Sequence, residues 1–562
     1  MMQTSVLEDL PSELLLHLLS FLSLRSLLAL SCTSRNFHSL VESTILPRFA
    51  LNRLHYSPVT LRHLQNSWTW GKKALWADRV ERRWASNSFS AVSFGSWDRT
   101  MPAIKLWQVE PGLAGVLIAR GSGLEWWVAL DHAGTMNRVE VISMEDELGV
   151  KGGYGQARRR AKNALDDITA LAEGPRSGEI ILARVSGVVQ RLRVRRGRPR
   201  GGPGDQAIVL EETARYLVPR SDLARPGSTS VQALTSSPAA NLLVSASTTR
   251  LRPPNLRQVE HDENDSLARA LMKRAAPKTH QVALHSIVSP WEPAEVIPLS
   301  SKPWSVQVAP GPKPPWIAIG QSGTTPVSLV HLDSTGRPDL STLTPLARTL
   351  KPTSVYSLTT PAIDCSPFLR PDQTLIAAFF DSTTRVYDLR LPPDCASSTS
   401  LVTSNWDDQD PLSSSPNEIM RLSDPWSDDP SYSVACGGPC GAQVAVGSAR
   451  NSAVRIFDVR GSTRPISVAR TKQQRDDEDG GSRGITAFGP RGDRSPVYGL
   501  SIENSRIWAV TDRSAFVFNL HADERDARRE ESVSFVGHTG EGKGELRKTG
   551  TLALSRRFEQ VL

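Results

Sequence analysis

The stretch LIAAFFDSTTRVYDLR, Leu375–Arg390, decides how most of this chain is read. An apolar run, Leu375–Phe380, meets a polar turn at Asp381–Thr384, and a second run ends in the aromatic–acid pair Tyr387–Asp388. Two runs of strand formers with turn residues between them predict an antiparallel hairpin. The pattern recurs at QVAVGSARNSAVRIFDVR (Gln443–Arg460), RIWAVTDRSAFVFNLH (Arg506–His521) and AVSFGSWDRTMPAIKLWQ (Ala91–Gln108). Looser copies begin at Glu125, Glu179, Leu242 and Trp316, the third of them split by a charged insertion. A further strand precedes many of these pairs, beginning at Asp166, Val231, Ser305, Ser354 and Val497. Units of three or four strands cannot bury their faces alone, and closing them radially removes most of the free edges. Eight units can be counted, the first without an obvious opening strand, so the pattern predicts a propeller of seven or eight blades.

The totals agree with a turn-rich β protein. The chain has 562 residues, 39% hydrophobic and 22% charged, with 39 glycines and 39 prolines. Five cysteines, too few and too scattered for a disulfide framework, suit the reducing cytosol or nucleus. The net charge of +8 is one patch. Residues 151–200 hold 13 Lys/Arg against 4 Asp/Glu, and the remainder of the chain is close to neutral. Residues 401–440 reverse the balance, with seven acids against Arg421 alone. Local patches of both signs argue against a whole-chain nucleic-acid binder.

The front of the chain differs in kind. DLPSELLLHLLSFLSLRSLLALS, Asp9–Ser31, holds 11 leucines between Leu10 and Leu30. Glu13, His17 and Arg25 interrupt it, so no run reaches the roughly 20 apolar residues a bilayer demands. MMQTSVLED carries acids and no base, unlike the start of a signal peptide. Helical spacing fits instead. Pro11 suits a first turn, and Leu14, Leu15, Leu18, Leu19 and Leu22 form a broad apolar face. A second short helix follows from Leu24 and a third spans SRNFHSLVES. Three short helices cannot hide that many leucines, so something else covers part of them: the rest of the chain or a partner. In ALWADRVERRW, Trp76, Val80 and Trp84 fall on one helical stripe, which either packs onto the next domain or lines a groove; packing is the expectation.

Residues Leu10–Val41 resemble the F-box in their Leu-Pro, Glu-Leu-Leu, SFL and LLALS…C.S..FHSL elements. The resemblance implies an interface with a Skp-type adaptor, formed by Leu10, Pro11, Leu14, Leu15, Leu18, Leu22, Leu27 and Leu28, and through the adaptor a link to a cullin. The hairpins resemble WD repeats: SWDRT…IKLWQ, DSTTRVYDL and SARNSAVRIFDV match that family's turn followed by a strand ending in aromatic-Asp. Tyr387–Asp388 and Phe457–Asp458 keep the aspartate, whereas Trp107–Gln108 and Phe518–Asn519 depart from it. Together the two resemblances imply a mainly β chain with a small α module at its front: F-box 5–48, helical connector 49–84, WD-like propeller 85–535 and tail 536–562. They imply a non-catalytic substrate receptor of a Skp–cullin–F-box ubiquitin ligase. The alternative is a propeller scaffold without ubiquitin transfer, and a third reading, an RNA- or chromatin-associated propeller, rests on the basic patch alone.

Other chemistry is not signalled. No Walker loop, HExxH, GxSxG or paired CxxC is present, so no cofactor, metal or catalytic residue is expected. Cys436 and Cys440 in CGGPCG read as a pair of loop thiols. Arg191, Arg193 and Arg195 alternate along a strand and so share a face. They coat a solvated surface, serve as an import signal, or contact an acidic or phosphorylated target. No aromatic residues are interleaved with them, which argues against nucleic acid. NWDDQDPLSSSPNEIMRLSDPWSDDPS, Asn405–Ser431, reads as a long exposed loop.

Overall fold

Serines set the starts of the second and third helices at the front of the chain. In the computed structural model, helix α1 (Ser12–Ser20) follows Pro11, and Glu13 lies in its first turn. Ser23 caps α2 (Leu24–Ser31) by accepting from the Ser26 N–H at 3.2 Å, and Ser34 caps α3 (Arg35–Leu40) by accepting from that of Phe37 at 3.2 Å. The third expected helix is longer than its sequence pattern: α3 runs through a π-helical turn, Val41–Ile45, into α4 (Leu46–Arg53). The structure describes most residues from 10 to 537; the longer stretches outside the description are 54–68, 131–134, 144–166, 197–206, 220–223, 252–276, 362–369, 392–416, 460–483 and 521–534, besides both termini.

Two cores meet on one helix. Leu15, Leu19, Leu24, Leu27, Phe37, Val41, Ile45 and Leu46 make the core of the helical module, and Ala74 of α5 (Trp70–Ala85) completes it. Farther along α5, Trp76, Val80 and Trp84 belong to a different cluster with Phe89, Phe518 and Leu520 of the β region. The expected aromatic stripe therefore packs onto the next domain. Each side chain of that size stabilises by about 1.5–3 kcal/mol when buried, so α5 is a stiff bridge and not a loose tether.

Beyond α5 the described chain is mainly β. Seven antiparallel four-stranded units can be traced among the described residues. Six open on Ala103–Glu110, Ile168–Glu173, Ala224–Ser237, Pro303–Val308, Thr353–Thr359 and Ser431–Gly437. The seventh consists of Val497–Ile502, Arg506–Thr511, Ser514–Asn519 and the early strand Ser90–Ser96. Hydrogen bonding joins the units into sheets of 4, 4, 8, 8 and 5 strands, and these sheets are not closed into a propeller. Side-chain packing between units is sequential: each opening strand contacts the next, and Val497–Ile502 contacts Ala103–Glu110.

One expected hairpin is absent. Ala91–Gln108 was expected to fold back on itself, but Ser90–Ser96 pairs with Ser514–Asn519, from Ser90↔Asn519 to Ser96↔Ser514, while Ala103–Glu110 pairs with Leu113–Arg120. Trp97 and Thr100 of the intervening stretch donate their backbone N–H groups to the carbonyls of Arg513 and Asp512. Removing that hairpin takes the count from eight units to seven. The other hairpins read from the sequence form, Leu375–Arg390 among them, where Asp381 Oδ1 accepts from the Thr383 N–H at 3.1 Å and Ser382 takes φ 68°.

Candidate functional site: an apolar helix face

The helical module leaves part of its leucine set outside its core. Of the eight residues expected to face an adaptor, Pro11, Leu14, Leu18 and Leu22 are exposed, Leu14 by 54% and Leu18 by 49%. Leu10 and Leu28 are partly buried against the core, whereas Leu15 and Leu27 are inside it. The division follows from helical geometry: Leu14 and Leu18 are one turn apart on one side of α1, and Leu15 and Leu19 one turn apart on the other. Phe21, at the end of α1, is 74% exposed and meets the His17 ring edge-on at 5.0 Å. Its exposure was not anticipated. The sequence signal was its place between the serines that end one helix and begin the next, where no helical period assigns a side.

Four large apolar side chains within nine residues form a patch that no described residue covers, the kind of surface that marks a protein interface. Nothing in it can do bond chemistry. Its charged neighbours Glu13 and Arg25 are exposed, so the patch has an apolar centre and a polar rim, as interfaces do.

The basic strand behaves otherwise. Arg191 donates from Nε to Thr213 Oγ1 at 3.1 Å and from Nη1 to the Ile287 carbonyl at 2.9 Å. Arg193 donates from Nε and Nη2 to Glu179 Oε1 at 3.1 and 2.8 Å, and Glu179 is itself buried. The reason is register: Glu179 stands directly opposite Arg193 in the antiparallel pair. These guanidiniums are thus held by their own neighbours. The Arg195 side chain and Arg158–Lys162 lie outside the described residues.

The acidic stretch is corrected in part. Residues 405–416 lie outside the described set, but Glu418–Leu422 is a strand, and Asp424 and Asp429 are buried around Arg455. Arg455 Nη2 donates to the Asp429 carbonyl at 3.0 Å and to Ser427 Oγ at 2.8 Å, with Asp424 Oδ2 3.7 Å from its Nε. Those acids serve packing between units.

Two hydroxyl–imidazole pairs have the composition of a nucleophile and a base. Ser245 Oγ lies 3.1 Å from His285 Nε2, and Thr248 Oγ1 3.0 Å from His280 Nδ1. Burial pushes His285 down to about 4, and Ser245 is fully buried within its sheet, so no substrate reaches the pair. Cys436 donates to the Gly441 carbonyl at 3.3 Å, and Cys440 lies outside the described residues. Among the described residues no three candidate metal ligands cluster, and no helix is long and apolar enough to cross a membrane.

Comparison with known proteins agrees with the helix face. The family model of the F-box domain matches residues 7–49. The chain therefore carries an F-box domain, and its exposed patch lies within it. No curated protein sequence matches the chain.

Proposed function

We propose that this protein is the substrate-receptor subunit of a Skp–cullin–F-box ubiquitin ligase. The observation that carries the reading is the uncovered patch of Leu14, Leu18, Phe21 and Leu22 inside the matched F-box domain. On this reading residues 5–48 seat a Skp-type adaptor, 49–84 connect, and 85–535 form a platform that holds a target protein in the cytosol or nucleus. On this reading the seven four-stranded units serve as the blades of a WD-repeat-type platform, although their hydrogen-bonded sheets do not close into a propeller. Support comes from the sequential packing of seven opening strands and from the early strand Ser90–Ser96, which completes the last unit. Such a subunit makes and breaks no bond. It raises the effective concentration of a target near a ubiquitin-charged enzyme, and α5 keeps that distance constant.

Co-purification tests the proposal. A tagged chain captures the adaptor together with a cullin, and Leu14→Ala plus Leu18→Ala abolishes both. Each leucine removed from an interface costs about 1.5–3 kcal/mol, so the pair costs roughly a hundredfold or more in affinity. Adaptor without cullin would instead support a scaffold that uses the F-box domain for assembly alone. Wild-type capture by the double variant would sink the assignment of this face.

A further inference from the structure

Four successive opening strands share a feature that no local pattern announces. Each has a β-bulge near its head, between Pro303 and Ser305, Val355 and Ser357, Ser431 and Ser433, and Val497 and Gly499. The bulged residue is aromatic every time: Trp304, Tyr356, Tyr432 and Tyr498. A bulge re-aims its side chain out of the pleat. The four rings consequently meet across the units, with centroids 4.8 Å apart from Trp304 to Tyr356, 4.6 Å from Tyr356 to Tyr432 and 5.8 Å from Tyr432 to Tyr498. All four are partly exposed. At the equivalent bulges two earlier units carry Thr169 and Gln232, so the aromatic row is an arc and not a full circle.

Hydrogen bonds tie the arc to its own units and to the next. Ser305 Oγ donates to the Val355 carbonyl at 3.0 Å and Ser433 Oγ to the Val497 carbonyl at 2.7 Å, stitching each bulge to the next unit. Between them the Val434 N–H donates to Ser357 Oγ at 3.2 Å. Trp304 Nε1 donates to Ser322 Oγ at 2.7 Å. The arc lies at the strand-head end of the units, where Val497 pairs with Thr511. Helix α5 joins at the opposite end, where Ser90 pairs with Asn519, so the arc faces away from the helical module.

One end of the arc is positively charged. Lys302 Nζ sits over the Trp304 ring, 3.3 Å from its centroid. Arg250 and Lys278 stand directly opposite each other on the neighbouring unit, a like-charge pairing that costs stability. Burial, then Lys278 and Arg250, push the Lys302 ammonium down to about 8. Among the described residues none of the three cations has a carboxylate partner.

We propose that this arc, with Lys302, Lys278 and Arg250 at its edge, binds an acidic peptide segment of a partner protein. The segment lays apolar side chains along the rings and sets a carboxylate or phosphate against the three cations. Charge decides the sign of the ligand. Aromatic faces also attract cations, but the Trp304 face is already covered by Lys302, and a second cation would approach three positive charges. Ring geometry disfavours nucleic acid: Tyr356 and Tyr432 stack on each other at 12°, leaving less free face for bases. As a statement of which target the receptor holds, the proposal rests on the substrate-receptor reading above.

Fluorescence anisotropy on the full chain with its adaptor tests it, using short labelled peptides. One alternates glutamate with leucine, the second carries phosphoserine in place of glutamate, and the third carries lysine there. At least one acidic peptide binds and the lysine peptide does not; which of the two binds more tightly identifies carboxylate or phosphate as the source. Lys302→Glu plus Lys278→Glu weakens binding by about tenfold or more, in line with losing charge-assisted contacts. Tyr356→Ala plus Tyr432→Ala weakens it comparably, and if that variant melts early, the charge variant decides, since Lys278 is exposed. Undiminished binding by the charge-reversed protein, or preference for the lysine peptide, overturns the proposal. Peptide binding without cullin capture would overturn only the ligase reading, and cullin capture with no acidic peptide bound would overturn only the arc.

Discussion

Helix α1 and the strand Val189–Arg196 both display a periodic row of one residue type, and they come to opposite ends. The leucine row keeps Leu14 and Leu18 in solvent, because a helix shows its outer face to whatever is nearby, and nothing in the described chain covers this one. The arginine row places Arg191 and Arg193 beside strands whose register delivers Thr213 and Glu179 to them. A strand always has a neighbour at hydrogen-bonding distance, and the neighbour's side chains can consume a charged row before any ligand arrives. A row of like residues on a strand is thus weaker evidence for a site than the same row on a helix at the edge of a module.

Substitutions sharpen that contrast. The largest effect belongs to the buried half of the leucine set. Leu27→Ala opens a cavity in the helical core and costs about 2–5 kcal/mol. Hydrogen exchange over residues 12–46 of the full chain reports the loss, and unchanged protection would show that Leu27 is not internal.

Next in size is the pH dependence of the buried histidine. Burial lowers His285 from about 6.5 to about 4 in the folded chain, so the unfolded chain binds more protons between those values. Its stabilising contribution is complete above pH 6.5 and falls away towards pH 4, by on the order of 3 kcal/mol. Denaturant midpoints measured across that window should rise with pH in the wild type and rise less in His285→Asn.

The arginine row comes third. Arg193→Ala removes a charge-assisted contact from the buried Glu179 carboxylate and destabilises by about 1–3 kcal/mol. Arg193→Glu does so further by placing two carboxylates together, so a loss of target capture in that variant would report unfolding and not a broken contact. A melting temperature unaffected by either change would return the strand to the list of ligand surfaces. Smallest is the effect of Leu14→Ala plus Leu18→Ala on stability, within about 0.5 kcal/mol of wild type, since both side chains already face water. Equal melting temperatures with lost adaptor capture would separate interface from core in one protein.

The arc teaches a related lesson. Gly447 lies so close to Ser433 that a Cβ there would sit 2.3 Å from the serine Oγ, and Gly320 stands in the same relation to Ser305. Small residues beside the bulges let the serines reach the next unit and hold the aromatic rings in place. In the sequence these appear as PWS, VYS, SYS and VYG at the heads of opening strands. The repeat is legible only after the register is known, because a bulge is a mismatch between two strands and cannot be read from either one.

What the sequence determined by itself is local. Alternating apolar runs with Asp, Asn and Gly turns specified hairpins such as Leu375–Arg390 and Gln443–Arg460, because partners a few residues apart pair at little entropic cost. The same holds for the helical periods of α1, α2 and α5. Tertiary structure decided the rest: that Ser90–Ser96 leaves its neighbour to complete the unit of Ser514–Asn519, that Glu179 captures Arg193, and which side of the α1 leucine set the core takes. Each of those outcomes depends on which surfaces meet and fit. That is settled by burial and hydrogen-bond satisfaction over the whole chain, which no short stretch encodes.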